Sequence, residues 1–435
     1  MFHLRIRAVF GKMPAMEYVW RIALTLSLWM AVALSAPGGT SAYRTATFES
    51  ALSAHLSYLQ NEQADYLTYL PLVAGNMFGP SVGTELKYGT VVADVQHLPL
   101  VRRLGFTWAQ VFVPWASVEP TKDGPRQWAV VDDIIRAGRR YNVHLLARVD
   151  RPPAWAREPG TTATGPVRPD ELERWADFLE ALAARGDGVI GAYEIWNEPN
   201  LSIEWGGRPP DPGRYAQIIQ AAYPAIKRGS PDAVVVSAGM ATTGPAGDRF
   251  MPHVLEDLWY IERMYQAGAK GYFDMLGTNP HGFGRPPEQD PGDPGINGLT
   301  FRRAEQQRAI MENFGDGDRG MWAMEVGWLT DPGPACYAAW EADGRLWQKV
   351  TLEQQRDYLV RAYRYAHQHW PWMKAMILFN LDFGAVPSEA GCPGARDVCQ
   401  ETRFYSLVTR NNPCNIEDPL QYRPAFQALQ DMPKY

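Results

Sequence analysis

The chain has 435 residues, of which 46% are hydrophobic and 21% charged. That is enough apolar surface for a large core and excludes an intrinsically disordered protein. A formal charge of -6 argues against nucleic acid as the main partner, because phosphate binding needs a basic face.

Residues 1–42 read as a targeting segment. Arg5, Arg7, Lys12 and Arg21 precede the apolar run Ile22 to Ala36, and Thr40-Ser41-Ala42 offers a small-x-small cleavage site before Tyr43. Export to the cell envelope or the medium is the expectation. The alternative is an uncleaved anchor, since Tyr18 to Ala36 is nearly long enough to span a bilayer but carries Arg21. That anchor would be the only membrane attachment. Residues 43–71, with Phe48, Leu52 and Leu56 at helical spacing, are expected to form a covering segment.

Short apolar runs rich in β-branched and aromatic residues then alternate with amphipathic stretches, a pattern that predicts parallel strands joined by crossover helices. Strands are expected at Leu72–Phe78, Thr107–Val113, Val143–Val149, Val189–Trp196, Ala233–Ser237, Phe273–Thr278, Gly320–Met324 and Met373–Phe379. Helices are expected between them at Val95–Leu104, Trp128–Tyr141, Pro169–Ala184, Gly213–Arg228, Phe250–Ala267 and Phe301–Phe314. Gly282–Gly298, crowded with Gly and Pro, reads as an irregular loop over one mouth. Eight strands predict a closed (β/α)8 TIM barrel over 72–390, followed by a tail at 391–435 with a possible helix at Tyr422–Leu429. Cys336, Cys392, Cys399 and Cys414 all lie in the last quarter of the chain. An even count in an exported protein predicts two disulfides, with three connectivities open.

A parallel barrel gathers at its active face the residues that end its strands. Two carboxylates stand there in distinctive contexts, Glu198 in Tyr193–Ser202 (YEIWNEPNLS) and Glu325 in Trp322–Trp328 (WAMEVGW). These stretches resemble the signatures of the clan A retaining glycoside hydrolases, of the cellulase-like and β-xylosidase-like branches, over roughly residues 72–385. In that clan a Glu in Asn-Glu-Pro after strand four is the acid/base and a Glu ending strand seven is the nucleophile. The resemblance therefore implies hydrolysis of an oligo- or polysaccharide by double displacement, with Glu198 as proton donor and Glu325 as nucleophile and without metal or organic cofactor. It also implies that Asn197 bonds the sugar 2-hydroxyl and that His281 touches the nucleophile or substrate. Glu194, four residues before Glu198, is a second carboxylate that only the resemblance ranks lower.

Sixteen Trp and 20 Tyr agree with a sugar ligand, since aromatic faces stack on sugar rings as well as fill cores. Trp328 and Trp155 are candidate platforms, each with core packing as its plain alternative. Three positions depart from the clan pattern. Gln110 stands near the strand-two Arg, for which Arg148 at the end of strand three is the candidate substitute. Phe283 replaces the Tyr two residues after the strand-six His, and Phe379 replaces the Trp ending strand eight. These departures support a rival reading, a noncatalytic glycan-binding or cell-envelope scaffold that keeps the barrel. Gly79-Pro80-Ser81-Val82-Gly83 fits the nucleophile-elbow pattern but is followed by a loop-like sequence, and it reads as a turn.

Overall fold

A computed structural model describes residues 86–244, 254–387 and 398–435. The targeting and covering segments, the Leu72–Phe78 strand, the Gly79–Gly83 turn and Cys392 lie outside the described residues. Eight parallel strands form the sheet: β1 (Lys87–Val91), β2 (Trp108–Phe112), β3 (His144–Val149), β4 (Ile190–Ile195), β5 (Val234–Ser237), β6 (Met275–Asn279), β7 (Gly320–Val326) and β8 (Met373–Leu378). Each pairs with the next, β1 pairs with β8, and a two-residue strand at Met240–Ala241 extends the β5 connection onto β6. The sheet is therefore a closed barrel.

The barrel's first strand is Lys87–Val91 rather than Leu72–Phe78. Its sequence, KYGTV, has no apolar run because Gly89 faces the crowded interior, where a Cβ would stand 2.6 Å from Ile377 Cδ1. The other seven strands lie within two residues of their predicted starts, and β7 runs two residues beyond Met324 to include Glu325.

The helices α1 (Leu98–Arg103), α2 (Ala129–Tyr141), α3 (Leu172–Gly186), α4 (Pro212–Gly229), α5 (Asp257–Gln266), α6 (Arg303–Asn313), α7 (Pro334–Ala342), α8 (Leu352–His369) and α9 (Pro424–Asp431) follow in order. Local chemistry starts and stops them. Asp211 caps α4 ahead of Pro212, Thr351 and Gln354 form a capping box on α8, and Asn142 ends α2 in the left-handed conformation at φ 52°.

Strand parity sorts the side chains into two layers. Outward residues such as Leu145, Tyr193, Ile195 and Val326 join the helices in the main core. Inward residues Val91, Trp108, Leu146, Ala192, Val236, Trp322, Met324, Ala375 and Ile377 fill the barrel. Trp108 and Trp322 meet edge-to-face at 5.4 Å and floor the interior. Above that floor the inward positions turn polar, with Gln110, Arg148, Glu194 and Asn279 all buried.

In the tail, Cys336 of α7 is bonded to Cys399, and Cys414 is disulfide-bonded as well. Helix α9 packs on α8. Among the described residues, no helix is long and apolar enough to cross a membrane.

Candidate active site

The end of β4 is bent sharply. Trp196 and Glu198 both adopt positive φ, 78° and 39°, a conformation that costs a non-glycine residue about 1–3 kcal/mol and persists only when its surroundings over-determine it. Here they do. Trp196 donates its amide to Val149 and its indole N–H to the Glu204 carbonyl, at 3.0 and 2.9 Å. The Glu198 amide donates to the Gly239 carbonyl at 3.1 Å, and buried Asn200 is tied to both Ala241 and Leu255. From α4, the Tyr215 hydroxyl donates to the Ile195 carbonyl at 2.9 Å and accepts from the Ala238 amide. The turn that presents Glu198 is thus bolted to the ends of β3 and β5. Asn200, within an Asn-x-Ser sequon, is fully buried and unavailable to a glycan.

Glu325 reaches the same mouth by a different device. The β7–β8 register shifts between Ala323 and Val326, opposite Met376 and Leu378, so β7 carries one extra residue there. Met324 faces inward and Val326 outward. A bulge of this kind reverses the alternation and re-aims the side chain at the break, which is Glu325.

One carboxylate oxygen of Glu198, one of Glu325 and one ring nitrogen of His281 lie within 4.8 Å of one another. Residues 198 and 325 are thereby brought together although they come from opposite halves of the chain. His281 Nε2 is 3.4 Å from Glu325 Oε2, and Arg148 Nη1 is 3.4 Å from Glu325 Oε1. Arg148 also stands 3.4 Å from Asp150 and lies over the Phe112 ring at 4.4 Å. Its guanidinium supplies a positive charge beside Glu325, where Gln110 supplies none.

Gln110 instead donates to Glu194 Oε2 at 2.5 Å, while the Gly239 amide donates to Glu194 Oε1 at 3.1 Å. Asn279 donates to Glu198 Oε1 at 2.9 Å. A Cβ on Gly239 would fall 1.9 Å from Asn279 Oδ1, so only glycine lets β5 approach this closely. No motif in the sequence marks Asn279, and Gln110 stands out there only as a departure from the clan pattern. Parity along β6 and β2 from the interior residues Met275 and Trp108 points directly to both.

The carboxyls differ in their proton affinity. Enclosure by protein pushes Glu198 well above the ordinary range, the charge of Glu325 adds to the effect, and the Asn279 hydrogen bond only partly opposes it. Enclosure likewise raises Glu194, to about 8, against the lowering influence of Arg148. Arg148 itself would be lowered by burial, but Asp150, Glu325, Glu194 and Glu204 together hold it above its ordinary value, so it stays charged.

The Glu194 shift has a stability consequence. Its contribution is fully present below the ordinary value of 4.5 and is lost as pH rises through about 8. Glu194→Gln keeps the planar shape of the side chain, and a flip of Gln110, whose Oε1 is buried without a partner, sets the new amide N–H against an acceptor. We expect thermal melts of Glu194→Gln to lose less stability than wild type between pH 5 and 8.5, by at least about 2 °C. Parallel curves would contradict the assignment.

Asn197 sits beside Glu198, 6% exposed, with its Oδ1 buried and unpartnered among the described residues, as is Oδ1 of Asn279. Buried acceptors of this kind are rare and suit ligand hydroxyls. Trp328 does not offer a platform. It is 0% exposed, donates to the Arg285 carbonyl at 2.7 Å and packs on Phe301 and Tyr358 under Gly282, because Glu325 precedes it on a strand whose continuation turns into the helical layer. Trp155 is half-buried. Its indole donates to the Glu119 carbonyl and its ring meets Trp115 edge-on at 5.3 Å, contacts that pack the loop after β3 against the helical layer. Phe283, at φ 53°, stacks on Trp347 rather than turning toward Glu325. Phe379 packs against His281 at 5.9 Å.

Glu198, His281 and Glu325 also offer a donor set for a metal ion. A raised Glu198 and a buried, charged Arg148 against Glu325 both disfavour a cation there. The arrangement suits instead a carboxyl that holds its proton, Glu198, facing Glu325 with a hydroxyl-bearing ligand between them.

No protein-family profile matches the chain, and no curated protein sequence matches it. Solved structures do. A family 39 glycoside hydrolase from Bacteroides cellulosilyticus superposes with TM-score 0.55 at 18% identity over 80% of this chain, which spans 63% of that protein. A glucosidase from Croceicoccus marinus gives 0.52 at 17% identity, covering 81% of this chain and 68% of its own. A subfamily 18 member of glycoside hydrolase family 5 from Streptomyces cattleya, in complex with Manβ1-4GlcNAc, gives 0.52 at 15% identity, covering 80% and 79%. With eight parallel strands closed on themselves, the chain has a (β/α)8 barrel fold, the fold it shares with these solved glycoside hydrolases.

Proposed function

We propose that the protein is an exported retaining glycoside hydrolase that cleaves an O-glycosidic bond in an oligo- or polysaccharide. The observation that carries this reading is the approach of Glu198 and Glu325, donor oxygens within 4.8 Å, at the mouth of the barrel. Retaining enzymes hold their two carboxyl groups about 5 to 5.5 Å apart, whereas inverting enzymes leave room for a water, at about 6.5–9.5 Å.

The two carboxyls divide the work by environment. Glu198, enclosed and facing a negative neighbour, keeps its proton and gives it to the leaving oxygen. Glu325, between the Arg148 guanidinium and His281, attacks the anomeric carbon as the carboxylate and forms the glycosyl-enzyme. That bond removes the charge of Glu325, so Glu198 gives up its proton more readily and turns from acid to base. It then takes a proton from the water that releases the sugar. The unpartnered Oδ1 of Asn197, beside Glu198, accepts from a sugar hydroxyl. Buried Arg148 answers the departure at Gln110, which is why that departure does not argue for a noncatalytic scaffold.

A carbohydrate substrate is further supported by the neighbour solved with a bound disaccharide. An extracytoplasmic location is supported by the Cys336–Cys399 disulfide, since such bonds persist in oxidising compartments. The test is a panel of aryl glycosides differing in sugar and anomer. Turnover of at least one is expected. Measurable glycan binding with no turnover on any of them would move the protein to the scaffold reading.

A further inference from the structure

The tail does more than cover the barrel. After the disulfide to α7, residues 399–406 run along the barrel mouth and are fastened at each step. Trp340 donates to the Cys399 carbonyl at 2.8 Å and Asn380 to Thr402 at 2.8 Å. Thr330 donates both amide and hydroxyl to Phe404, and Gln355 donates to the Tyr405 carbonyl at 3.2 Å. These contacts set the Tyr405 ring 5.1 Å from the His281 ring and 5.3 Å from Phe379. Tyr405 is 8% exposed, and a Cβ on Gly327, two residues after Glu325, would lie 2.7 Å from its Cδ1. The chain is hollowed at Gly327 to admit this ring.

His281 needs such a wall. Its Nε2 is 3.4 Å from Glu325, a long contact, and its Nδ1 is buried without a hydrogen-bond partner among the described residues. Imidazoles beside a reacting group are usually oriented by a hydrogen bond at the second nitrogen. Here ring packing takes over that task. Burial pushes the Tyr405 phenol upward, with Glu401 first among the charges that add to it and Glu325 and Glu198 contributing, so it stays neutral beside the pair.

We infer that Tyr405, delivered by the C-terminal segment and held there by the Cys336–Cys399 disulfide, is a positioning residue that fixes His281 against Glu325. The inference rests on the hydrolase reading above, and its test separates the two. On the best glycoside of the panel, Tyr405→Phe keeps the ring and is expected to retain near-wild-type kcat. Tyr405→Ala and Tyr405→Leu are expected to lose about 10- to 100-fold in kcat with little change in KM, and to displace the pH optimum, because a small misplacement of a group at the reacting centre costs this much. Cys336→Ser with Cys399→Ser, and wild type treated with reductant, are expected to fall in the same direction. Wild-type kcat and an unmoved pH profile in both Tyr405→Ala and Tyr405→Leu would overturn the inference, as would equal losses in Tyr405→Phe and Tyr405→Ala. If one truncation fails to fold, the other and the reduced wild type decide. Failure of the hydrolase reading is seen separately, in a wild type inert on the whole panel, and it takes the inference with it.

Discussion

Glu325→Ala is expected to reduce kcat on activated aryl glycosides by at least about ten-thousand-fold, the scale on which removal of a covalent nucleophile is felt. The loss comes from the chemistry and not from the fold, because the Arg148 guanidinium left behind still faces Asp150 at 3.4 Å. Truncation also leaves space beneath the anomeric carbon. Added azide should enter it and attack from the side that Glu325 occupied, so activity returns and the product is a glycosyl azide of inverted configuration. Gas- or liquid-chromatographic identification of that product, with its anomer read by NMR, checks the assignment. A Glu325→Ala variant that turns over like wild type would remove Glu325 from the reaction.

Glu198→Ala should fail in a different pattern. Without a proton donor, glycosides with poor leaving groups are expected to lose about 10²- to 10⁴-fold in kcat/KM, the usual share of general acid catalysis. Dinitrophenyl glycosides leave without protonation, so their first step is nearly spared and the glycosyl-enzyme accumulates, giving a burst followed by slow turnover. Azide should then relieve the second step and yield a product of retained configuration, opposite to that from Glu325→Ala. A loss independent of leaving group would mean that Glu198 binds substrate but does not protonate it. The contrast between the two variants assigns each glutamate in a way that neither achieves alone.

Much of this site is written in the chain. The Trp-Asn-Glu-Pro stretch marks Glu198, the run through Glu325 marks its partner, and short apolar runs between amphipathic stretches give seven of the eight barrel strands. Where the reading missed, packing overrode pattern. Lys87–Val91 lacks an apolar run because Gly89 leaves room for Ile377 and Trp108, so a search for runs passes it by. Trp328 stands three residues after a catalytic candidate, but the bulge at Glu325 changes the parity and sends the strand's continuation into the core.

Gln110 departs from the strand-two Arg of the clan pattern, with Arg148 at the end of strand three as the candidate substitute. In the barrel Gln110 is the partner of Glu194, and the cation comes from the neighbouring strand as Arg148. The contribution of Tyr405 could not be read at all, since no local pattern in residues 399–406 reports that the segment crosses the mouth 80 positions after Glu325. The pairing of Cys336 with Cys399 was one of three connectivities until the fold selected it.

The most direct test of the central claim is to trap the covalent intermediate. Wild-type protein incubated with a 2-deoxy-2-fluoroglycosyl fluoride of the preferred sugar should lose activity as its mass rises by one fluorosugar. Fragmentation of the tryptic peptide spanning 320–345 should place that mass on Glu325. A label on Glu194, Glu198 or any other carboxylate, or undiminished turnover of the parent glycoside without any label, would contradict the account.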